Sequence, residues 1–283
     1  MVNTVEQDIP FLKDLVCYEL TGGKYAVGLC PGCGYGIIAN AVNRVLLKRG
    51  DVLKYPIITG VGCNTGIPTR MVGQHMHCLH GRIFAFATGL KLARPELKQI
   101  VISGDGDCLA IGLNHFLQAA RRNVDMLVIL LNNETYGSTG GQHAPTTGLG
   151  MRSVTAPYGV QERSFDAVEL AVTAGATFVA RWGIDKPYKL MESIEKALDH
   201  KGFSLIEALS ICPTHRGRPN GLESPVEMLR WLKSNTIPLH EAKEMDQGEL
   251  QGKYVVGEFL ERNDVPELSE TLWGIVGKVK KGD

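Results

Sequence analysis

The sequence has no surplus of either charge: 30 lysines and arginines face 30 aspartates and glutamates over 283 residues. No basic run stands out, so neither nucleic acid nor an anionic membrane surface is an expected partner. No apolar stretch approaches the roughly 18 residues that a membrane-spanning helix needs. The opening MVNTVEQDIPFLKDL carries acids where a secretory signal carries bases, which points to a cytoplasmic address. Repeats and low-complexity tracts are also missing. The seven cysteines, at 17, 30, 33, 63, 78, 108 and 212, are odd in number and follow no export signal, so a disulfide framework is not expected. Metal binding, catalysis or plain packing are their remaining uses.

With 44% hydrophobic and 21% charged residues, the chain can bury a sizeable core, and one large domain with an extended tail is the expected organisation. Its 33 glycines cluster after apolar runs, as where backbone passes close to a ligand. Runs rich in β-branched residues at 56–59, 99–103, 126–131, 176–180 and 204–208 read as buried parallel strands. Between them, periodicity predicts helices at 35–48, 82–94, 109–122, 164–174 and 187–201. The clearest puts Ile37, Ile38, Ala41, Val42, Val45 and Leu46 on one face and stops at Gly50-Asp51. Strand, glycine turn and helix in repetition define an α/β fold with a doubly wound, mostly parallel sheet, which binds ligands at the carboxyl ends of its strands. Residues 134–163 read as a long loop that covers that site. Residues 1–215 are expected to carry the site. Residues 216–283 read as a linker at 216–221, an amphipathic helix near 224–233 and a charged tail, a C-terminal helical arm suited to subunit docking.

Gly104-Asp105-Gly106-Asp107 closes one predicted strand and Asn132-Asn133 closes the next. A strand-helix-strand crossover sets two such ends side by side, so carboxylate and amide oxygens converge on one hard cation that also takes diphosphate oxygens. Gly104 and Gly106 let backbone N–H groups reach the phosphates, and a helix starting near Cys108 adds its positive end. Either motif alone reads as an ordinary turn; on consecutive strands the two are specific. The pair resembles the signature of thiamine-diphosphate enzymes. That resemblance implies magnesium held by Asp105, Asn133 and the carbonyl of Thr135.

Cys30-Pro-Gly-Cys33 is a C-x-x-C in a loop that opens a helix, Cys63 sits in a glycine-rich strand end, and Cys212 follows the last predicted strand. All four fall near the expected diphosphate site. Two near and two remote thiolates suit a four-cysteine iron-sulfur cluster, and a redox disulfide or a structural zinc remains open on spacing. Cys17, Cys78 and Cys108 read as packing. His75, His77, Cys78 and His80 form a weak metal pattern, and His80-Gly81-Arg82 fits better as donors to phosphate.

The blocks CPGCGYG at 30–36, GVGCNTG at 60–66, HGRIFAFATGLKLA at 80–93, GDGDCLAIGLNHFLQAARRNVD at 104–125, NNETYGSTGGQHAPTT at 132–147 and ICPTHRGR at 211–218 occur in this order. Together, to about position 220, they resemble the β subunit of 2-oxoacid:ferredoxin oxidoreductases. The resemblance implies one 4Fe–4S cluster on Cys30, Cys33, Cys63 and Cys212. It also implies thiamine diphosphate contacts from Val61, Gly62, Cys63, Asn64, His80, Gly104, Asp105, Gly106, Asp107, Asn133, Gly137 and Ser138. AIGLNHFLQAARRN and YGSTGGQ look nearest the 2-oxoglutarate branch. Leu29-Cys30-Pro31, Asn64-Thr65 and Gly140 depart from the common pattern there, so aryl-glyoxylate and branched-chain oxoacids stay open.

In that family a 2-oxoacid is decarboxylated, electrons leave singly through the cluster to ferredoxin, and coenzyme A takes the acyl group. A non-redox decarboxylase would keep Asp105 and Asn133 but has no use for four cysteines. A glutamate that activates the cofactor belongs to a pyrimidine-binding domain, for which this chain leaves no room. It is expected on an α partner subunit, with small γ and δ subunits as further candidates.

Overall fold

A computed structural model describes residues 28–281; Cys17 and the opening segment lie outside them. Helix α1 spans Tyr35–Arg49, followed by strand β1 (Ile57–Thr59), β2 (His75–His77) and α2 (Ile83–Ala93). Then come β3 (Gln99–Gly104), a π-helical turn at Asp107–Ile111, α3 (Leu113–Arg121) and β4 (Met126–Asn132). A small hairpin, β5 (Thr135–Tyr136) and β6 (Gln142–His143), precedes α4 (Ala167–Ala174), β7 (Phe178–Gly183), α5 (Pro187–Asp199) and β8 (Phe203–Leu209). The chain continues through a second π-helical turn (Pro213–Gly217), α6 (Pro225–Ser234), β9 (Thr236–Pro238), the short helices α7 (Leu239–Ala242) and α8 (Gln247–Leu250), β10 (Tyr254–Glu261) and α9 (Leu268–Lys281).

Eight strands form one sheet in the order β2-β1-β3-β4-β8-β7-β10-β9. The strands from β2 to β7 in that order are parallel, and β10 adds antiparallel to β7. Side chains alternate across the sheet. Ile100, Ile102, Leu127, Ile129 and Leu131 enter one core with α1 and α5, while Val101, Met126, Val128 and Leu130 enter the other with α2, α3 and α4. Two cores on two faces make the strands apolar throughout, as in the doubly wound fold read from the sequence. The chain leaves β1 for β2 on one side, while β3 lies on the other side of β1. Loops after β1 and β3 therefore diverge and open a crevice at the carboxyl ends of the strands.

The opposite end of the sheet is held by a buried cluster. Lys91 Nζ donates to Asp125 Oδ2 at 2.6 Å, and Lys98 donates to Asp125 Oδ1 and to the His200 carbonyl. The carbonyls of Pro95 and Leu97 also accept from Lys91, so all three of its N–H donors are used. This end carries no functional expectation.

The expected charged tail is corrected by the structure. Tyr254–Glu261 is a strand of the main sheet, with Gly257 opposite Arg181 and Glu258 opposite Ala180. Helix α9 is tied to the body through Glu267, which accepts from the Asp125 N–H at 3.1 Å, and through Trp273 Nε1, which donates to the Leu92 carbonyl at 3.0 Å. The segment is half-exposed, and its charged residues mask the alternation that a buried strand shows. Strand β2 is missed for a similar reason: its three residues are all exposed.

Candidate cofactor site

The crevice is lined by Val61, Gly62, Cys63 and Asn64 after β1, His80 before α2, Gly104 to Asp107 after β3, and Asn133, Thr135, Gly137 and Ser138 after β4. These are all the residues expected to touch thiamine diphosphate or magnesium, brought together from four chain segments. The parallel register sets Gly104 opposite Leu131, which places Asp105 and Asn133 just beyond neighbouring strand ends. Asp105 is 2% exposed. It accepts from the Gly106 N–H at 2.9 Å and from Thr146 Oγ1 at 2.7 Å. Burial nevertheless dominates and pushes its carboxyl up to about 7. A bound cation would reverse that penalty, because the carboxylate would then face a positive charge.

The cradle fits a bound ligand on two further counts. Asn64 is 1% exposed, donates through Nδ2 to the Ile102 carbonyl at 3.1 Å, and leaves Oδ1 without a partner. A buried unpaired amide oxygen on a crevice wall is costly unless a ligand satisfies it. Gly106 faces Tyr136 so closely that a Cβ would lie 2.1 Å from the ring, so only glycine lets backbone form this wall.

Asp107 takes a narrower part than expected. Its Oδ1 accepts from the Gly81 N–H at 2.7 Å and pairs with His80 Nδ1, and its Oδ2 accepts from Ser103 Oγ at 2.8 Å. Both oxygens are committed within the protein. Asp107 therefore orients the His80 ring, and His80 presents the polar group to the crevice. The His75, His77 and Cys78 pattern dissolves in the structure. His75 contacts the Met71 carbonyl, His77 contacts Thr59, and Cys78 is buried in the core. Cys108 likewise packs in the core.

Cys30, Cys33, Cys63 and Cys212 line one cavity of about 520 Å³ beside the crevice. Gly62, Cys63, Asn133, Gly137 and Ser138 line both spaces. All four cysteines are free thiols. Among the described residues, no three histidine, cysteine or acidic side chains converge on a single metal ion. The four thiols surround a larger space, which suits a multinuclear centre. Backbone N–H groups also point at the sulfurs: Tyr35 to Cys33, Ser138 to Cys63, and Thr214, His215 and Arg216 to Cys212. Such donors stabilise thiolate ligands and tune cluster potentials.

Without metal the Cys33 and Cys63 thiols stay protonated, since burial pushes Cys33 up to about 12 and Cys63 up to about 11. Metal uptake by Cys33 and Cys63 must therefore release protons, and the thiolate available at these two rises about tenfold per pH unit. Reconstitution of cluster-free protein with ferrous iron and sulfide is expected to accelerate from about pH 7 to about pH 9. A rate independent of pH, followed by visible absorption, would argue against these thiols as ligands.

Three contributors were not found in the sequence. Tyr35, 2% exposed, stands among the cysteines and Asp105, and its hydroxyl donates to the Leu131 carbonyl at 3.2 Å. Thr146 reaches Asp105 from the long loop, and Glu134 pairs with Arg216 at 2.8 Å. Each partner is remote in the chain, so local pattern carries no sign of it.

Comparison with known proteins agrees with this geometry. Residues 60–208 match the family model described as thiamine pyrophosphate enzyme, C-terminal TPP binding domain. The chain is 46% identical over 255 residues to 2-oxoglutarate synthase subunit KorB of Methanocaldococcus jannaschii, covering 89% of this chain and 93% of that one. It is 43% identical over 189 residues to 2-oxoacid:ferredoxin oxidoreductase subunit beta of Saccharolobus solfataricus, covering 66% of this chain and 62% of that one. Among solved structures, it superposes with a TM-score of 0.80 at 33% identity on 2-oxoglutarate:ferredoxin oxidoreductase from Magnetococcus marinus, with 2-oxoglutarate, coenzyme A and succinyl-CoA bound. That match covers 91% of this chain and 88% of the other.

Proposed function

This chain belongs to the family of 2-oxoacid:ferredoxin oxidoreductase β subunits, and from that premise we propose that it supplies the diphosphate half of a 2-oxoglutarate-oxidising site and the iron-sulfur exit for its electrons. The observation that carries the reading is the shared wall. Cys63, Asn133 and Gly137 line the diphosphate crevice and the four-cysteine cavity at once, so an electron donor in one lies against an acceptor in the other.

In this reading Asp105, Asn133 and the Thr135 carbonyl hold magnesium, and Gly104 and Gly106 bring backbone to the diphosphate. His80, fixed by Asp107, donates to the phosphates, and Asn64 Oδ1 accepts from the ligand. Thiamine diphosphate, when bound, supplies the electron sink for decarboxylation. Cys30, Cys33, Cys63 and Cys212 hold a 4Fe–4S cluster. Coenzyme A takes the acyl group, and ferredoxin takes the electrons.

The site needs a second chain. The enclosed part of the crevice is about 80 Å³, below the roughly 300–1,000 Å³ of pockets that enclose a ligand by themselves. Among the described residues its carboxylates are aspartates, and no glutamate lines it. An α subunit with the pyrimidine-binding domain and its activating glutamate completes it, with or without γ and δ subunits. Subunit docking, expected of residues 216–283, falls on α9, where Leu272, Ile275, Val276 and Val279 form an exposed stripe at helical spacing. No described helix is long and apolar enough to cross a membrane, and a cytoplasmic location is part of this proposal.

The test is an anaerobic assay of the assembled complex with coenzyme A and a viologen dye. 2-Oxoglutarate is expected to give the highest kcat/KM among 2-oxoglutarate, pyruvate, a branched-chain oxoacid and an aryl-glyoxylate. A higher value for any of the others would transfer the assignment to it.

A further inference from the structure

Between Asn133 and Thr135 the chain passes through Glu134 at a φ of +58°. A residue with a Cβ is strained there, and the strain persists only when the surroundings over-determine it. What holds Glu134 is plain. Its side chain, 7% exposed, accepts from Arg216 Nε at 2.8 Å, and Arg216, 4% exposed, stacks its guanidinium 4.1 Å from the centre of the Trp231 ring. The Glu134 carbonyl accepts from the Thr147 hydroxyl at 2.7 Å, and the Glu134 N–H donates to the Asn132 side-chain oxygen at 3.1 Å.

The two ends of this ion pair touch different centres. The Glu134 N–H also donates to the Asp105 carboxylate. The Arg216 N–H donates to the Cys212 sulfur and to the Cys212 carbonyl, the latter at 3.1 Å. A continuous path therefore runs from the cation ligand Asp105, through Glu134 and Arg216, to the cluster ligand Cys212. The loops it joins are 82 residues apart. As core filling, a buried pair is replaceable by apolar side chains at little cost in stability. An apolar pair could not hold the left-handed residue between two cation ligands and a charged group beside a thiolate at the same time.

We propose that the Glu134–Arg216 ion pair is a positioning device that sets the cation site and the cysteine cavity in register, so that each centre depends on the same pair. The proposal rests on the cofactor assignment above. Neither residue touches the substrate; both act through Asn133, Thr135 and Asp105 on one side and Cys212 on the other.

The test uses the assembled complex with Glu134→Gln and Arg216→Met, and Asp125→Asn as a control that disturbs a buried ion cluster at the far end of the sheet. Two quantities are read: the dissociation constant of thiamine diphosphate with magnesium, and the reduction potential of the cluster. Groups that orient metal ligands are typically worth 10–100-fold in affinity, and a rise of that size is expected for both pair variants. The potential separates positioning by charge from mere loosening. Glu134→Gln leaves a positive charge beside Cys212 and should raise it, whereas Arg216→Met removes that charge and should lower it.

Asp125→Asn should change neither quantity. If Arg216→Met does not fold, the near-isosteric Glu134→Gln still reads both. Wild-type affinity and potential in the pair variants would overturn the device, as would a change at one centre alone or equal changes in the control. A wild-type complex without thiamine diphosphate and iron would overturn the functional reading and the device with it.

Discussion

Asp105→Asn is expected to remove thiamine diphosphate and magnesium from the complex while leaving the cofactor-free protein at least as stable as wild type. The cation loses its one charged ligand in this chain, while the diphosphate keeps its negative charge, so binding should fall by more than about 100-fold, beyond the usual effect of a neighbouring orienting group. Stability moves the other way. Burial raises the Asp105 carboxyl from 3.8 to about 7, so the folded state prefers the protonated form. A carboxyl raised in this way contributes no penalty below about pH 4, an increasing one between about pH 4 and 7, and a constant one above. At pH 8 the penalty reaches at most about 4 kcal/mol, and asparagine abolishes it while keeping the shape. Titration calorimetry with thiamine diphosphate and magnesium, beside thermal unfolding of the cofactor-free protein, checks both halves. Stoichiometric cofactor in Asp105→Asn would remove this residue from the cation site.

Cys212→Ser should have the complementary effect. Cys212 is 8% exposed and receives N–H groups from Thr214, His215 and Arg216. Serine retains the turn and its hydrogen bonds but is a poor ligand for iron. Iron and the dithionite-bleachable visible absorption should fall to background, and dye reduction with them. Thiamine diphosphate should stay bound, because the Glu134–Arg216 pair and Asp105 are untouched. Wild-type iron content in Cys212→Ser would remove this cysteine from the ligand set. The two substitutions thus dissect a site whose halves share a wall.

The legible part of this site consists of residues whose neighbours follow from topology. Gly104-Asp105-Gly106 and Asn132-Asn133 end adjacent parallel strands, and parallel pairing through one crossover leaves them little choice of position. Cys30, Cys33, Cys63 and Cys212 are legible for the same reason, as each follows or precedes an element whose end lies on the ligand face. Asp107 was legible as a member of the site but not in its role. That role depends on Ser103, His80 and Gly81 saturating both its oxygens. Strand β10 was hidden by its half-exposed, charged text, and so the tail turned out to be part of the sheet.

The sequence by itself determined the class of fold and the two sets of ligand candidates, because periodicity and strand-end motifs are local and the parallel sheet converts them into position. Only the tertiary structure decided that Gly62, Asn133, Gly137 and Ser138 join Cys63 in lining both spaces, that Asn64 leaves a buried oxygen unpaired, and that Glu134 meets Arg216 across 82 residues. Those facts depend on which side chains saturate one another once the strands are packed. Hydrogen bonds and ion pairs between remote loops leave no periodic trace in the chain that forms them.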